Sequence, residues 1–329
     1  MTKAKAEQLQ AVAILVPADF SEHAVRRIDG TFKQIRIERA DPALVTDEMR
    51  RTVRGIASFA GISAAMMDAL PNLELIASFG VGYDSVDVGH AAAKDIMVTN
   101  TPDVLTEEVA DTAIGLLINT IRDLPRAENW LRDGSWMRKG NYPLSRLTLR
   151  ARRVGIFGMG RIGQAIARRL EAFGLPVAYH NRRRVEGLAY QYHPTLKGLA
   201  EAVDTLISVA PGGASTQKAV NAEILSALGA NGVFVNIGRG STVDEAALAA
   251  ALADGTIAAA GLDVFADEPN VPKALLDARN ASLLPHVGSA SEHTRRAMAD
   301  LCVDNLVSWF TERRPLTPVP ETAHVEARG

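Results

Sequence analysis

Apolar residues in this chain alternate between two patterns. Some fall in short, mostly apolar runs of strand length, and others recur at helical spacing. In the first hundred residues the runs are Ala11–Val16 (AVAILV, closing at Pro17), Ile56–Phe59, Leu75–Ser78 and Ile96–Thr99. Between them, His23–Ile28, Ile62–Leu70 (stopping at Pro71) and Val86–Lys94 read as helices. After Pro102 a long amphipathic helix is expected over Thr106–Ile121. Thr106 is its candidate N-cap, and Glu107, Glu108 and Asp111 sit where the helix dipole favours acids. Strands then follow at Val154–Phe157, Pro176–His180, Asp204–Ala210, Val233–Ile237 and Ala258–Val264, with helices at Leu196–Val203, Asn221–Leu228 and Asp244–Ala253. Strands alternating with helices predict parallel α/β sheets. A last helix, Thr294–Phe310, returns towards the first part, and Pro315, Pro318 and Pro320 mark an irregular end. The expected organisation is a doubly wound α/β domain, residues 103–288, inserted into a smaller α/β domain made of residues 1–102 and 289–329.

The stretch Arg153–Gly174 (RVGIFGMGRIGQAIARRLEAFG) carries the clearest chemistry. The apolar strand breaks at Gly158, and Gly158-Met159-Gly160-Arg161-Ile162-Gly163 is a G-x-G-x-x-G that opens a helix ending at Gly174. In that strand–turn–helix context the motif signals dinucleotide binding. Gly158 permits the tight turn, Gly160 lets the backbone approach a pyrophosphate, and Gly163 lets the helix pack against the strand. The helix N-terminus offers unpaired N–H groups to the phosphates. About 20 residues on, where an NAD enzyme places Asp or Glu against the ribose 2′-hydroxyl, this chain reads Asn181-Arg182-Arg183-Arg184. An acid would repel a 2′-phosphate, whereas guanidinium groups can grip one. The loop therefore predicts NADPH as cofactor, with NADH accepted more weakly; the plainer alternative is a solvated basic loop.

Composition narrows the rest. A chain of 329 residues has room for two cores, and 47% hydrophobic with 22% charged residues describes an ordinary globular protein. A formal charge of -2 gives no reason to expect nucleic acid or an anionic membrane as a partner. The single cysteine, Cys302, excludes an intramolecular disulfide and a cysteine-built metal site, and no metal is expected. Met1–Gln10 is polar, without the apolar core of a secretory signal, and no apolar run has membrane-spanning length. These features together point to a cytoplasmic protein.

Three strand ends in the second half carry polar residues that packing does not require: Asn236-Ile237-Gly238-Arg239-Gly240, Asp263 to Pro269, and Pro285-His286-Val287-Gly288. Ligands of open α/β sheets bind outside the carboxyl ends of strands, so these residues converge on one region. Singly, each has a duller explanation. His286 after a Pro could be structural, Glu268 before Pro269 could be turn chemistry, and Arg239 could be a loop charge. Together they are what a reductase of 2-oxo acids needs. Arg239 would pair with the substrate carboxylate and polarise the keto oxygen. His286 would deliver a proton to that oxygen, and Glu268 would orient the imidazole and stabilise its charge. His23, His90, His180 and His193 lack such company and read as structural or exposed.

GVGYDSVD at Gly80–Asp87, TEEVADTAIGLLI at Thr106–Ile118, GMGRIG, NIGRG, GLDVFADEP and PHVGSASEHTR at Pro285–Arg295 occur in one order and spacing. In combination they make the chain resemble the D-isomer-specific 2-hydroxyacid dehydrogenases over nearly its whole length, and within them the glyoxylate/hydroxypyruvate reductases. The resemblance implies a Rossmann cofactor domain inserted into a flavodoxin-like substrate domain, with Arg239, Glu268 and His286 as the catalytic trio. It further implies that backbone N–H groups of Val81 and Gly82 hold the substrate carboxylate, beside Arg239 and His286. Arg161 and Ile162 match pyrophosphate contacts, Asp263 the residue near the nicotinamide carboxamide, and Ala210 with Pro211, Ile237 and Gly288 the cofactor-lining positions. A homodimer formed through the cofactor domains is implied as well, with Trp136 or its neighbours reaching the partner's site. The expected activity is NADPH-dependent reduction of glyoxylate and hydroxypyruvate. The alternatives are a bulkier 2-oxo acid such as an aryl pyruvate, or an NAD(P)H-sensing interaction protein.

Overall fold

The computed structural model describes residues 3–18 and 20–327; the first two residues of the polar start lie outside them. The chain divides into two compact units, Met1–Leu105 with Ser291–Gly329, and Thr106–Ala290. The second is thus an insertion in the first.

In the first unit the strands are β1 (Ala13–Pro17), β2 (Lys33–Ile37), β3 (Val53–Ser58), β4 (Leu75–Ser78) and β5 (Met97–Thr99). They pair in parallel in the order β2-β1-β3-β4-β5. This is the flavodoxin-like order. β1, β3, β4 and β5 are almost wholly buried, as their apolar runs require, because helices cover both faces of a parallel sheet. The helix Glu292–Glu312 supplies much of one cover, burying Cys302, Val303, Leu306, Trp309 and Phe310. β2 departs from expectation. Its sequence, KQIRI, has no apolar run, and it forms the half-exposed edge of the sheet. An edge strand is paired on one side only and needs no continuous apolar character.

The second unit contains β6 (Val154–Phe157), β7 (Val177–His180), β8 (Gln191–Tyr192), β9 (Thr205–Ser208), β10 (Val233–Asn236), β11 (Ala259–Leu262) and β12 (Ala281–Leu283). Their order, β12-β11-β10-β9-β6-β7-β8, is all parallel and reverses direction between β6 and β9. This is the doubly wound Rossmann arrangement, with its switch point beside Gly158. The predicted helices lie close to their expected bounds, and Asn221 and Asp244 cap two of them through side-chain oxygens. The helix Thr106–Arg122 begins at Thr106 itself, so that residue is its first turn rather than its cap. Among the described residues no helix is long and apolar enough to cross a membrane.

Candidate active site

The glycine turn after β6 is shaped by close contact. Gly158 has φ +106°, and a Cβ there would collide with the Val209–Ala210 peptide that leaves β9. A Cβ on Gly163 would run into the carbonyl oxygen of Gly158, so only glycine lets the helix start this close to its strand. Space is open around Gly160, and no side chain caps the helix Arg161–Ala172 there. The first turn of that helix carries N–H groups with no intrahelical acceptor, that of Ile162 among them, as an anion site requires. A dinucleotide's pyrophosphate fits this cradle.

Asn181, at the end of β7, accepts a hydrogen bond from the Met159 N–H through its side-chain oxygen, at 2.6 Å. It thereby ties the glycine turn to the neighbouring strand end. Arg182, Arg183 and Arg184 follow it, all exposed, and none of them has an ion-pair or hydrogen-bond partner among the described residues. Three adjacent guanidinium groups without a carboxylate form a site of concentrated positive charge. Ala210 and Ile237 are buried across the switch point, and Pro211 is exposed beside Ala210.

Arg239, Glu268 and His286 follow β10, β11 and β12, three adjacent strands, at the same edge of the sheet. His286 Nδ1 lies 2.7 Å from Glu268 Oε2. The other carboxylate oxygen of Glu268 accepts from the Phe265 N–H at 2.9 Å, so the acid is anchored to its own loop while it holds the ring. With Nδ1 engaged, Nε2 is the atom left to meet a substrate. Both members of the pair are about one-third solvent-exposed at their side chains, open enough for a small molecule to reach.

Two supports of this geometry were not assigned from sequence. Asn236, fully buried at the end of β10, accepts from the Gly238 N–H at 3.1 Å and donates to the Arg239 carbonyl at 2.9 Å. Thr242 donates to the same carbonyl at 2.7 Å, so the Arg239 backbone is held from two sides. The signal for Asn236 was visible as a polar residue inside an otherwise apolar strand. Asp263 is the second support. Its carboxylate accepts from the N–H groups of Val287 (2.7 Å) and Gly288 (2.9 Å), and its carbonyl accepts from His286 N–H at 2.8 Å. Burial pushes its carboxyl above the usual range, against the two N–H groups and the nearby imidazole, which favour the charge. These three bonds hold His286 at φ +52°, a left-handed conformation that costs a non-glycine residue about 1–2 kcal/mol.

In the first unit, Val81 and Gly82 lie in the turn that follows β4, and neither of their N–H groups has a hydrogen-bond partner among the described residues. Three other histidines are engaged elsewhere. His23 pairs with Asp300 at 2.7 Å, His90 with Asp68 at 3.0 Å, and His180 Nδ1 with the His193 carbonyl at 2.9 Å. No group of three or more His, Cys, Asp or Glu residues that could hold a metal ion occurs among the described residues.

Residues 114–288, more than half of the chain, match the family model described as D-isomer specific 2-hydroxyacid dehydrogenase, NAD binding domain. The chain belongs to the D-isomer-specific 2-hydroxyacid dehydrogenase family. Among members of this family, a glyoxylate/hydroxypyruvate reductase A of Arabidopsis thaliana is 41% identical over 94% of this chain and 100% of its own length. A hydroxyphenylpyruvate reductase of Plectranthus scutellarioides is also 41% identical, again over 94% of this chain and 100% of its own. Among solved dehydrogenase structures, an NADPH-dependent glyoxylate/hydroxypyruvate reductase from Sinorhizobium meliloti, in complex with NADP and malonate, is similar at 63% identity. It has a TM-score of 0.95 and covers 97% of this chain and 99% of that one. Membership in this family makes the protein an oxidoreductase acting at the 2-position of hydroxy acids.

Proposed function

We propose that the protein is an NADPH-dependent reductase of small 2-oxo acids, with glyoxylate and hydroxypyruvate as its preferred substrates. The observation that carries this is the His286–Glu268 pair at 2.7 Å, set beside Arg239 on three adjacent strand ends of a nucleotide-binding sheet. The S. meliloti relative, at 63% identity, supports the small substrates and the cofactor. When bound, the nicotinamide supplies the hydride. His286 Nε2 supplies the proton to the carbonyl oxygen as charge develops there, and Glu268 stabilises the imidazolium and fixes its plane. Arg239 holds the carboxylate and polarises the carbonyl. The N–H groups of Val81 and Gly82 are further carboxylate donors, an arrangement of backbone groups suited to anions. Gly158, Gly160, Arg161, Ile162 and Gly163 cradle the pyrophosphate. Ala210, Pro211, Ile237 and Gly288 line the nicotinamide half, with Asp263 near its carboxamide end.

Arg182 and Arg183 discriminate between the two nicotinamide cofactors by pairing with the 2′-phosphate. Replacing Arg182 by Asp is expected to lower kcat/KM with NADPH by about tenfold or more, while NADH is tolerated at least as well as before. An unchanged cofactor ratio would remove this loop from the assignment. A second substrate reading, an aryl pyruvate, is favoured by the hydroxyphenylpyruvate reductase, whose identity to this chain equals that of the Arabidopsis enzyme. The protein is also proposed to act as a homodimer through the segment that follows the helix Thr106–Arg122, for reasons of surface chemistry given in the Discussion.

A further inference from the structure

The turn after β4 is held in an unusual way, with its acceptors tied back and its donors left open. The Gly80 carbonyl accepts from the Thr101 N–H at 2.8 Å, and the Val81 carbonyl accepts from the side-chain amide of Asn100 at 2.8 Å. Because a peptide unit is planar and trans, a carbonyl and the N–H that follows it point in opposite directions. Fixing the Gly80 carbonyl therefore aims the Val81 N–H, and fixing the Val81 carbonyl aims the Gly82 N–H. Those are the two donors with no partner among the described residues.

We propose that Asn100 is a positioning residue for substrate: by holding the Val81 carbonyl it presents the Gly82 N–H, in parallel with that of Val81, to the carboxylate of the 2-oxo acid. The inference rests on the proposed role of Val81 and Gly82 as carboxylate donors and names what makes them donors.

Asn100 is itself gripped by the C-terminal segment. Its N–H donates to the Thr317 carbonyl at 3.2 Å, and the Thr317 hydroxyl donates to the Asn100 carbonyl at 2.6 Å. Thr317 is in turn locked by the fully buried Asn305. The Asn305 oxygen accepts from the Leu316 and Thr317 N–H groups, both at 3.0 Å, and its amide donates to the Thr317 hydroxyl at 2.9 Å. A chain of satisfied hydrogen bonds thus runs from the long C-terminal helix through Thr317 and Asn100 to the turn. Such a chain keeps the donors preorganised rather than ordered only on binding. The tail that follows the helix, irregular in sequence, acquires a function by this route.

The test compares Asn100→Ala with Asn100→Asp. Loss of the amide in Asn100→Ala is expected to raise KM for glyoxylate about tenfold, with KM for NADPH and the thermal midpoint little changed. Asp is nearly the shape of Asn but cannot donate, and it adds a negative charge beside the anion site. Asn100→Asp is therefore expected to be worse than Asn100→Ala in glyoxylate KM, whereas a purely structural role would make the isosteric change the milder one. Unchanged glyoxylate KM in both variants, or a loss shared equally by NADPH, overturns the proposal. Amide hydrogen exchange of the 79–87 segment, with malonate and NADP⁺ added, separates this proposal from the reading beneath it. Protection in the wild type that disappears in Asn100→Ala supports both. Protection that persists in the variant leaves the turn as the carboxylate site and overturns the role of Asn100. No protection in the wild type overturns the carboxylate site, and the role of Asn100 with it.

Discussion

An imidazole serves as a general acid when one nitrogen is held by an acceptor and the other faces the reacting atom, and in the proposed mechanism His286 is that acid, fixed by three separate constraints. Glu268 takes Nδ1 at 2.7 Å, Asp263 takes the His286 N–H through its carbonyl, and the Asp263 carboxylate takes the next two N–H groups. The left-handed backbone at His286 persists because these bonds together oppose its relaxation. Removing the imidazole leaves the cradle for the cofactor untouched, since that cradle lies on β6 and β7. His286→Ala is accordingly expected to lower kcat by about 10²–10⁴. Its dissociation constant for NADPH, measured by fluorescence titration, should stay within about twofold of wild type. Wild-type turnover in this variant would show that another group delivers the proton. The His286–Glu268 partnership could be read from sequence because both residues follow strands that end at one edge. The role of Asp263 in holding the histidine could not, because it depends on backbone N–H groups of a loop 24 residues away.

At the scale of elements, strands with buried apolar runs were legible, the edge strand β5 among them, and the more exposed edge strands were not. β6, β9 and β10 are buried along their full length, and their apolar runs announce them. β2 and β8 lie at sheet ends, are partly exposed and carry no such run, and β12, half-exposed at the other end, showed only through the polar residues that follow it. The polar helix Lys3–Gln10 was missed for the same reason. Two helices after Arg122, Leu124–Arg132 and Ser135–Lys139, were also unassigned, and here the cause is different. They bury little within their own unit. Trp136 is 57% exposed, Met137 94% and Leu144 95%, with Leu124 and Leu131 also open. Exposed apolar side chains gathered on one segment mark an association surface. In the proposed homodimer these side chains pack against a second copy, which is why a single chain shows no regular periodicity for them. Replacing both Met137 and Leu144 by Asp is expected to convert a dimer into a monomer in light scattering after size exclusion, with the NADPH site intact. A monomeric wild type, or a doubly substituted protein that stays dimeric, would remove this segment from the interface.

For the molecule as a whole, one unit carries the proposed cofactor cradle and acid–base pair, and the other carries a turn of open N–H donors. The topology of both units followed from strand–helix alternation. The strand order did not follow from it and comes from the register of parallel pairs. The proposed catalytic trio stands out in the sequence because Arg, Glu and His on successive strand ends have little to do for packing. The roles of Asn236 and Asp263 in fixing the backbone at Arg239 and His286 do not, because bonds to loop backbone leave no pattern in the sequence. The measurement that bears most directly on the account is the initial rate of NADPH oxidation at 340 nm with glyoxylate, hydroxypyruvate and phenylpyruvate, repeated with NADH. The expected result is turnover of glyoxylate and hydroxypyruvate at about 1–10³ s⁻¹ with NADPH, faster than with NADH and faster than for phenylpyruvate. Preference for phenylpyruvate would keep the chemistry and contradict the substrate class. NADPH binding without turnover of any of the three would contradict the enzymatic reading and leave a cofactor-sensing protein in its place.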